Sequence, residues 1–328
     1  MSSIKDVASK VGVSISTVSR VINNTGYIGK ETRRKVEEAI KELKYEPNLV
    51  ARSLQRSQSY LVGVIVPDSS HPFFSELIKY IEAYLAQFDY KILICNSLDN
   101  PGKEQQYISM LRQNRVDGII MCSHTLETSE YKKLKFPIVT FDRIISNDIP
   151  YVGSDNFIGG QLAASHLIQK GCKKLLYLSG PLDINLLTNR RWDGFRSICW
   201  DRKIQCEIFE SNYDVLDFDK LFISLKESIV KNINQYDGIF CNDTAAYALY
   251  IALKEVGIHV PEQMKIVGYD HHSFTRMLQK PKITTIMQPI DRIGKALGAT
   301  IIQLIEAKDG MSIDNTIVNV ELIDGKTT

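Results

Sequence analysis

The sequence repeatedly places carboxylate, arginine, amide and aromatic side chains beyond the ends of its predicted strands. They are Phe73, Phe74, Asp142, Arg143, Arg191, Asn242, Asp270 and Gln288. Carboxylates accept hydrogen bonds from neighbouring hydroxyls, arginines donate to ring and hydroxyl oxygens, and aromatic faces cover the apolar side of a sugar. The combination predicts a polyol ligand, whereas any one of these residues alone is equally consistent with a structural ion pair or a core aromatic.

Short apolar strands alternating with amphipathic helical segments would position these side chains. The predicted strands are Leu61–Val66, Ile92–Cys95, Gly118–Cys122, Ile138–Phe141, Leu175–Leu178, Glu207–Phe209, Gly238–Cys241 and Ile266–Tyr269. This alternation is typical of α/β domains with parallel sheets.

An internal repeat divides this region into two similar halves. Residues 117–120 (DGII) recur as residues 237–240 (DGIF), and residues 138–142 (IVTFD) recur as residues 266–270 (IVGYD). The second repeat ends in an aspartate in both halves, and open parallel sheets bind ligands beyond the carboxyl ends of their strands. Two facing lobes would therefore place Asp142 and Asp270 on opposite walls of one cleft.

Catalysis is the competing use for two cleft carboxylates. A glycosidase needs an acid of raised pKa beside a nucleophile or a water site, and nothing in the sequence places one. The sequence has no Walker phosphate loop, no GxGxxG, no GxSxG and no metal-site spacing. His271 and His272 are adjacent and would point apart, and the six histidines are interpreted as surface or hydrogen-bonded groups. We therefore expect no enzyme activity, no metal and no cofactor.

Basic residues are concentrated near the N-terminus. Of 328 residues, the first 58 contain 11 Lys and Arg against 6 Asp and Glu, whereas the rest contain 29 against 32. The formal net charge of +2 hides this asymmetry. A localised basic segment indicates contact with nucleic-acid phosphates, although a solvated basic face is the alternative interpretation.

The basic segment contains the capping and turn residues of two short helices. Ser3 and Asp6 form a capping box at the start of the first helix. Gly12 suits the left-handed conformation that ends a helix, and Ser14, with Thr17 three residues on, suits the cap of the next one. Two short helices joined by a tight turn predict a helix-turn-helix that reads the DNA major groove.

The second of these helices is predicted to bury Val18 and Ile22 and to expose its other face. The residues expected to contact DNA in this region are Ser14, Ile15, Ser16, Thr17, Ser19, Arg20 and Asn23. A third helix from about Lys30 to Leu43 would close a small core, and Gly29 is a weak cap for it.

A short basic segment follows the third helix. Residues 47–56 (PNLVARSLQR) predict about two turns of helix, which nothing local would stabilise. We expect this segment to order on DNA, where Leu54 would enter between minor-groove base steps. An ordinary linker is the equally open alternative.

The apolar runs, the N-terminal segment and the cysteines narrow the class of protein. The longest apolar runs, such as Leu61–Val66, are far shorter than the ~20 residues of a membrane-spanning helix. The N-terminus begins with a charged, capped helix and not a signal sequence, so we expect a cytoplasmic location without membrane contact. Cys95, Cys122, Cys172, Cys199, Cys206 and Cys241 form no CxxC pair and are predicted to be reduced core thiols.

Three segments carry a family resemblance. Residues 17–23 (TVSRVIN), 45–54 (YEPNLVARSL) and 62–67 (VGVIVP) resemble the lactose/galactose repressor family of bacterial regulators. The resemblance implies a helix-turn-helix head over residues 1–46, a hinge helix and linker over 47–60, and an effector-binding and dimerisation core over 61–328. The expected fold is a small all-α head joined to a periplasmic-binding-protein-like core of two parallel α/β lobes.

The core is also similar to ribose-binding proteins, which present a paired Phe, an Asp-Arg, an Arg, an Asn, an Asp and a Gln. This resemblance adds Phe218 and His71 to the expected effector site, with His71 at the place of an asparagine. That difference leaves the sugar open between ribose and a furanose relative such as fructose. Residues 96–101 (NSLDNP) and 154–157 (SDNF) also resemble sucrose-operon repressors.

The sequence is therefore interpreted as a homodimeric transcriptional repressor that binds pseudo-palindromic double-stranded operator DNA and responds to a small sugar. A free-standing sugar-binding protein is disfavoured by the head. A catabolite-control regulator with a phosphoprotein corepressor stays open, because its cleft need not bind free sugar. Residues 317–323 are expected to be strand-like, without the family's tetramerising heptads.

Overall fold

The chain divides into two compact units, residues 1–59 and residues 60–328. The computed structural model describes residues 2–45 and 58–328, apart from 124, 127, 133, 135, 181, 183–185, 211–217, 279 and 308–312. The predicted hinge helix, including Leu54, lies outside the described residues. Each unit has its own hydrophobic core.

The first unit contains the helices α1 (Ile4–Val11), α2 (Ile15–Ile22) and α3 (Lys30–Glu42). The capping box of Ser3 and Asp6 is present, as predicted from the sequence. Gly12 ends α1 in the left-handed conformation with a φ of 73°, and the Ser14 side chain accepts a hydrogen bond from the Thr17 amide. Gly29 precedes α3 without a side-chain cap, as expected of a weak cap.

One prediction about the core of the first unit was wrong. Val18 is buried, but its partner is Val21, which is 5 % exposed, while Ile22 is only partly buried. Positions three and four residues apart lie on the same helix face, so Val21 and Ile22 are neighbours on it, and Val21 lies closer to the centre of the core. Val7, Ala8, Val36 and Ala39 complete this small core.

The second unit has two lobes, each built on a six-stranded sheet of described residues. Lobe 1 contains β1 (Leu61–Val66), β2 (Lys91–Asn96), β3 (Gly118–Met121), β4 (Ile138–Phe141), β5 (Tyr151–Ser154) and β11 (Thr316–Val318), in the order β11-β5-β4-β3-β1-β2. Its helices are α4 (Pro72–Leu85), α5 (Pro101–Gln113), α6 (Thr128–Lys132) and α12 (Ile290–Glu306). Every strand pair of this sheet is parallel.

Lobe 2 repeats the same strand order. It contains β6 (Lys174–Ser179), β7 (Gln205–Glu210), β8 (Gly238–Phe240), β9 (Lys265–Asp270), β10 (Thr284–Met287) and β12 (Glu321–Ile323), in the order β12-β10-β9-β8-β6-β7. Its helices are α7 (Asn156–Gln169), α8 (Arg190–Arg202), α9 (Phe218–Ser228), α10 (Asp243–Glu255) and α11 (Ser273–Met277). The sheet is parallel except for the β10–β12 pair. The repeated segments form β3 with β4 and β8 with β9, at equivalent positions, so the predicted two-lobed α/β fold is confirmed.

The chain passes between the lobes after β5, after β10 and between β11 and β12. Residues 317–323 therefore do not form the single strand expected from their sequence. β11 pairs with β5 in lobe 1, and β12 pairs with β10 in lobe 2. Two short strands supply an outer strand to each sheet, which one continuous strand would not do.

Two glycines allow α7 and α8 to pack closely in lobe 2. A methyl group at Gly160 would overlap the carbonyl oxygen of Arg191, and one at Gly194 would overlap that of Phe157. This close packing brings the first turn of α8, which carries Arg191, against the first turn of α7, which carries Asn156.

Candidate functional site

Asp142 and Asp270 lie at the carboxyl ends of β4 and β9, as the repeat predicted. Both are buried, with 2 % and 7 % of their surface exposed. Their φ angles are 53° and 122°, in a region that residues with side chains rarely adopt. Backbone strain of this kind persists where the surroundings enforce it, and it concentrates at functional sites.

A hydrogen-bond network connects Asp142 to lobe 2. Asn156 donates its Nδ2 to Oδ1 of Asp142 over 3.1 Å. Its Oδ1 accepts from Nε of Arg191 at 2.7 Å and from the hydroxyl of Tyr269 at 3.2 Å. The Arg191 guanidinium lies 3.7 Å from the centre of the Tyr269 ring. Arg191 is therefore fixed within lobe 2, with its charge close to the two aspartates.

A second hydrogen-bond chain connects Asp270 to lobe 1. Gln288 donates its Nε2 to Oδ1 of Asp270 over 2.6 Å, and its Oε1 accepts from the Ser154 hydroxyl at 2.5 Å. Gln288 and Ser154 stand where the chain passes between the lobes. The predicted site residue Gln288 thus joins the end of β9 to the end of β5.

Burial raises the pKa of three aspartates in this region of the core. It raises the pKa of Asp142 and that of Asp270 to about 6, against the opposing charge of Arg191. Burial, followed by the charge of Asp270, raises the pKa of Asp243 to about 7. A partner that donates hydrogen bonds to these carboxylates would favour their ionised form.

Unmet hydrogen-bonding capacity is concentrated in the same region. Within the described part of the second unit, the buried side-chain atoms without a partner are Oδ2 of Asp142, Nη1 of Arg143, Nδ1 of His71 and both ring nitrogens of His272. An unsatisfied buried polar group costs about 1–3 kcal/mol. His71 follows β1, and Asp142 and Arg143 follow β4, in lobe 1, whereas His272 follows β9 in lobe 2. The region can therefore bind a ligand with several donors and acceptors.

Arg143 is anchored within lobe 1. Its Nη2 donates to the carbonyl oxygen of Leu126 over 2.8 Å, and its guanidinium lies 5.4 Å from the centre of the Tyr131 ring. One end of the guanidinium is thereby fixed, and Nη1 retains a donor.

The predicted aromatic residues differ in position. Phe73 is buried in the core of lobe 1, where it stacks on Phe141 with ring centres 5.5 Å apart. Phe74 is partly buried, and its ring centre is 5.8 Å from that of His71. Phe74 rather than Phe73 therefore has the more accessible ring face.

The remaining predicted residues lie at helix starts in lobe 2. Asn242 caps α10, and its Oδ1 accepts from the Ala245 amide at 2.8 Å. Phe218 begins α9 with 39 % of its surface exposed, and its ring centre is 6.5 Å from that of Tyr247. Asn242 thus uses its side-chain oxygen for structure, and Phe218 lies on the surface of its lobe.

Sequence reasoning missed three residues of this region: Asn156, Glu76 and His272. Asn156 follows β5 as Asp142 follows β4. Its position after a strand could have marked it as a site residue, but β5 was not predicted. Glu76 of α4 accepts from the Ser273 amide at 2.8 Å and from Nη2 of Arg276 at 2.6 Å, both in lobe 2. The interpretation of all histidines as surface or hydrogen-bonded groups was wrong for His272, which is 0 % exposed and lacks a partner among the described residues.

In the first unit, α2 presents a small polar surface with one arginine. Ser14, Ile15, Ser16 and Arg20 are exposed, whereas Thr17, Ser19 and Asn23 are partly exposed. The Ser14 hydroxyl lies 2.7 Å from that of Ser16 and 2.8 Å from that of Thr17, and Asn23 Nδ2 donates to the Ser19 hydroxyl over 3.2 Å. The structure thus brings together the side chains predicted to contact DNA on the second helix of a helix-turn-helix.

Two further observations concern the described residues as a whole. Within them, no helix has the length and apolar character needed to cross a membrane. The six cysteines are free thiols, and all except the partly exposed Cys206 are buried.

A helix-turn-helix unit and a two-lobed α/β core in one chain define the class of ligand-responsive bacterial regulators. Residues 3–48 match the family described as bacterial regulatory proteins, lacI family. Residues 59–326 match that described as periplasmic binding proteins and sugar binding domain of LacI family. The chain therefore belongs to the LacI family of DNA-binding transcriptional repressors, which are not enzymes.

Similar proteins are named as operon repressors. The chain is 41 % identical over 329 residues to a sucrose operon repressor of Streptococcus mutans, covering 99 % of this chain and 98 % of that protein. It is 35 % identical over 309 residues to a ribose operon repressor of Halalkalibacterium halodurans, covering 94 % and 92 %.

Solved structures share the fold. The lac repressor dimer bound to operator and the anti-inducer ONPF has a TM-score of 0.84 at 25 % identity, covering 99 % of this chain and 98 % of that chain. A regulator from Alkaliphilus metalliredigens complexed with D-xylulofuranose has a TM-score of 0.75 at 33 % identity, covering 82 % and 99 %.

Proposed function

We propose that this chain is a cytoplasmic, homodimeric repressor of a sugar-utilisation operon. Its head, over residues 1–46, and its hinge, over 47–60, bind pseudo-palindromic operator DNA, and its core, over 61–328, dimerises and binds a free sugar between the lobes. Sugar binding changes the equilibrium between arrangements of the lobes and thereby the affinity for operator.

The unpartnered polar atoms on both lobes carry this proposal. A bound polyol would donate a hydroxyl to Oδ2 of Asp142 and accept from Nη1 of Arg143, which otherwise remain buried without partners among the described residues. Asp270 and Arg191 would contribute from lobe 2, and the Phe74 ring would cover an apolar face of the sugar. A ligand bound in this way contacts both lobes at once.

The resemblances support a particular kind of sugar. Relatives named for sucrose and ribose operons, and the D-xylulofuranose complex of a structural neighbour, favour a furanose such as ribose or fructose. Because His71 stands at the place of an asparagine of ribose-binding proteins, we propose fructose as a candidate beside ribose.

Operator binding is assigned to the exposed face of α2. Arg20 can donate two hydrogen bonds to a guanine edge or bind a phosphate, and the serines and Asn23 can bind bases or phosphates. Leu54 of the hinge, outside the described residues, would occupy the minor groove. The lac repressor dimer on operator, which shares the fold over nearly the whole chain, supports this assignment.

A two-stage experiment tests the proposal with the full-length chain. Thermal unfolding is first measured with D-ribose, D-fructose, sucrose and their phosphate esters, and we expect one free sugar to raise the unfolding temperature. Operator affinity, measured by fluorescence anisotropy, should then change when that sugar saturates the protein. If no sugar stabilises the chain and a phosphoprotein alters its operator affinity instead, the catabolite-control alternative replaces this proposal.

A further inference from the structure

Two histidines from opposite lobes meet between α4 and α11. His71 precedes α4 in lobe 1 and His272 precedes α11 in lobe 2, and neither side chain caps its helix. Their ring centres are 6.2 Å apart, with one ring edge-on to the other. The pair therefore lies where the lobes face one another.

His272 is buried, His71 is partly buried, and neither imidazole is completely hydrogen bonded within the described residues. His272 is 0 % exposed, and among the described residues neither of its ring nitrogens has a hydrogen-bond partner. Nδ1 of His71 is likewise buried without a partner in the described part of the chain. Burial lowers the pKa of His71 to about 4 and that of His272 to about 3, so both rings are neutral near pH 7.

A neutral imidazole has one N–H donor and one acceptor nitrogen. A phosphate or carboxylate oxygen can only accept and an ammonium group can only donate, so each satisfies one kind of nitrogen. A hydroxyl both donates and accepts, so a single hydroxyl can accept from one ring and donate to the other. The pair is thus chemically suited to an uncharged alcohol.

The surrounding charges also favour an uncharged group. Arg276 approaches from α11, but its guanidinium is paired with the buried carboxylate of Glu76 from α4 at 2.6 Å. Asp68 adds a negative charge on the His71 side, and His271 is a neutral neighbour on the His272 side because burial lowers its pKa. A phosphate placed between the histidines would lie near the carboxylates of Asp68 and Glu76, and the guanidinium of Arg276 is already paired with Glu76.

We propose that His71 and His272 bind one hydroxyl of an unphosphorylated sugar and thereby determine which sugars this chain accepts. This assignment rests on the proposed function and adds to it a subsite formed by both lobes. Because the hydroxyl bridges one ring of each lobe, it can make both hydrogen bonds only when the lobes are together. The subsite therefore links sugar specificity to the arrangement of the lobes.

The test uses the full-length protein and isothermal titration calorimetry with D-fructose, D-ribose, sucrose and D-fructose 6-phosphate. The variant His272→Phe keeps a ring of similar size without nitrogens, and His272→Gln keeps one donor and one acceptor. His259→Gln, at an exposed histidine, is the matched control. For the sugar that binds the wild type, we expect at least about tenfold weaker binding to His272→Phe and partial recovery in His272→Gln.

Thermal unfolding without sugar separates binding from structure. Replacing a ring with unpaired buried nitrogens by an apolar ring removes a desolvation cost, so His272→Phe should unfold at the same or a higher temperature than the wild type. Equal sugar affinity in the wild type and His272→Phe, or tighter binding of the phosphate ester than of the free sugar, overturns the subsite while leaving the proposed function standing. A wild type that binds none of the free sugars overturns the proposed function and the subsite together.

Discussion

In each lobe, a buried carboxylate that is fully hydrogen bonded can be compared with one that stands at the cleft. In lobe 1, Glu104 accepts at one oxygen from the Ser123 and Thr125 hydroxyls, at 2.6 and 2.7 Å, and at the other from the Tyr131 hydroxyl. Asp142, in the same lobe, accepts at Oδ1 alone, and its buried Oδ2 has no partner among the described residues.

Lobe 2 repeats the fully bonded arrangement. Asp243 accepts from the Thr285 hydroxyl at 2.6 Å, from the Thr275 hydroxyl at 2.7 Å and from the His271 amide at 2.9 Å, so both of its oxygens are used. We call Glu104 and Asp243 the framework carboxylates, and Asp142 and Asp270 the cleft carboxylates.

The difference separates two uses of a buried charge. A framework carboxylate ties together loops at the ends of several strands, and its loss leaves several buried donors unpaired. A cleft carboxylate is held in a strained backbone conformation and is bonded mainly to amides or residues that span the lobes. Its remaining capacity is available for a ligand, so its loss should affect binding more than folding.

Removal of a framework carboxylate should have the largest effect. Asp243→Ala removes the shorter acceptor of two buried hydroxyls, whose other contacts are carbonyl oxygens at 3.0 and 3.5 Å, and the side-chain acceptor of the His271 amide. We expect it to lower the free energy of unfolding by about 4 kcal/mol. The measurement is urea denaturation followed by the fluorescence of Trp192 and Trp200, which both lie in α8 of the core.

The exposed Asp201, also in α8, provides the control variant Asp201→Ala, which should change stability by less than about 0.5 kcal/mol. If Asp243→Ala is as stable as this control, full hydrogen bonding does not mark a structural role, and the comparison between the two kinds of carboxylate fails.

Removal of a cleft carboxylate should chiefly affect the ligand. Asp270→Ala leaves sugar hydroxyls without an acceptor, and we expect about thirtyfold weaker binding of the sugar that stabilises the wild type, or about 2 kcal/mol. Operator binding without sugar should persist, and the response to sugar should disappear at concentrations that saturate the wild type. Calorimetry and anisotropy with labelled operator measure the two effects. A mutant with a normal sugar response would show that Asp270 does not bind the sugar.

A substitution in the head should change operator affinity without changing sugar binding or the stability of the core. Arg20→Ala removes an exposed guanidinium from α2, so we expect operator affinity to fall by about 1–3 kcal/mol while sugar affinity and core stability stay unchanged. Arg202→Ala, at an exposed arginine of the core, is the charge-matched control. Operator affinity at fixed salt that is equal in Arg20→Ala and the wild type would remove α2 from the DNA-binding surface.

The sequence predicted best those features that local residues determine. The capping box of Ser3 and Asp6, the turn at Gly12 and the cap at Ser14 each depend on neighbours within a few residues, and the structure has all three. Asp142 and Asp270 could be placed because parallel strands bring their carboxyl ends to one edge of a sheet.

Features that depend on distant partners were missed. β5 and β10 were not predicted because Gly153 and Ser154 in β5, and Thr284 and Thr285 in β10, break the apolar pattern although all four residues are buried. The division of residues 317–323 between two sheets depends on pairing with β5 and β10, which are distant in the sequence. The role of Asn156 depends on the close packing at Gly160 and Gly194, which no single helix pattern indicates.

The pH dependence of the free energy of unfolding is the smallest expected effect, and it tests the cleft carboxylate Asp142 specifically. Burial raises the pKa of Asp142 from its ordinary value of 3.8 to about 6 in the folded protein, so the folded state retains a proton that the unfolded chain releases. Stability from this group is therefore fully present below about pH 4 and is lost as the pH rises toward 6, with little further change above. Asp270, with its pKa also raised to about 6, acts in the same direction.

The variant Asp142→Asn isolates this contribution, because asparagine resembles the protonated acid and does not titrate. Between pH 5 and pH 6 without sugar, the wild type should lose about 1 kcal/mol of unfolding free energy relative to the variant, measured by urea denaturation. Sugar hydroxyls that donate to the ionised carboxylate lower its pKa in the complex, so sugar affinity of the wild type should rise over the same interval. The affinity of Asp142→Asn should rise less, because only Asp270 still titrates there. If wild type and variant keep a constant stability difference from pH 5 to pH 7, Asp142 is ionised throughout, and its unpartnered oxygen is solvated instead of being held for a ligand.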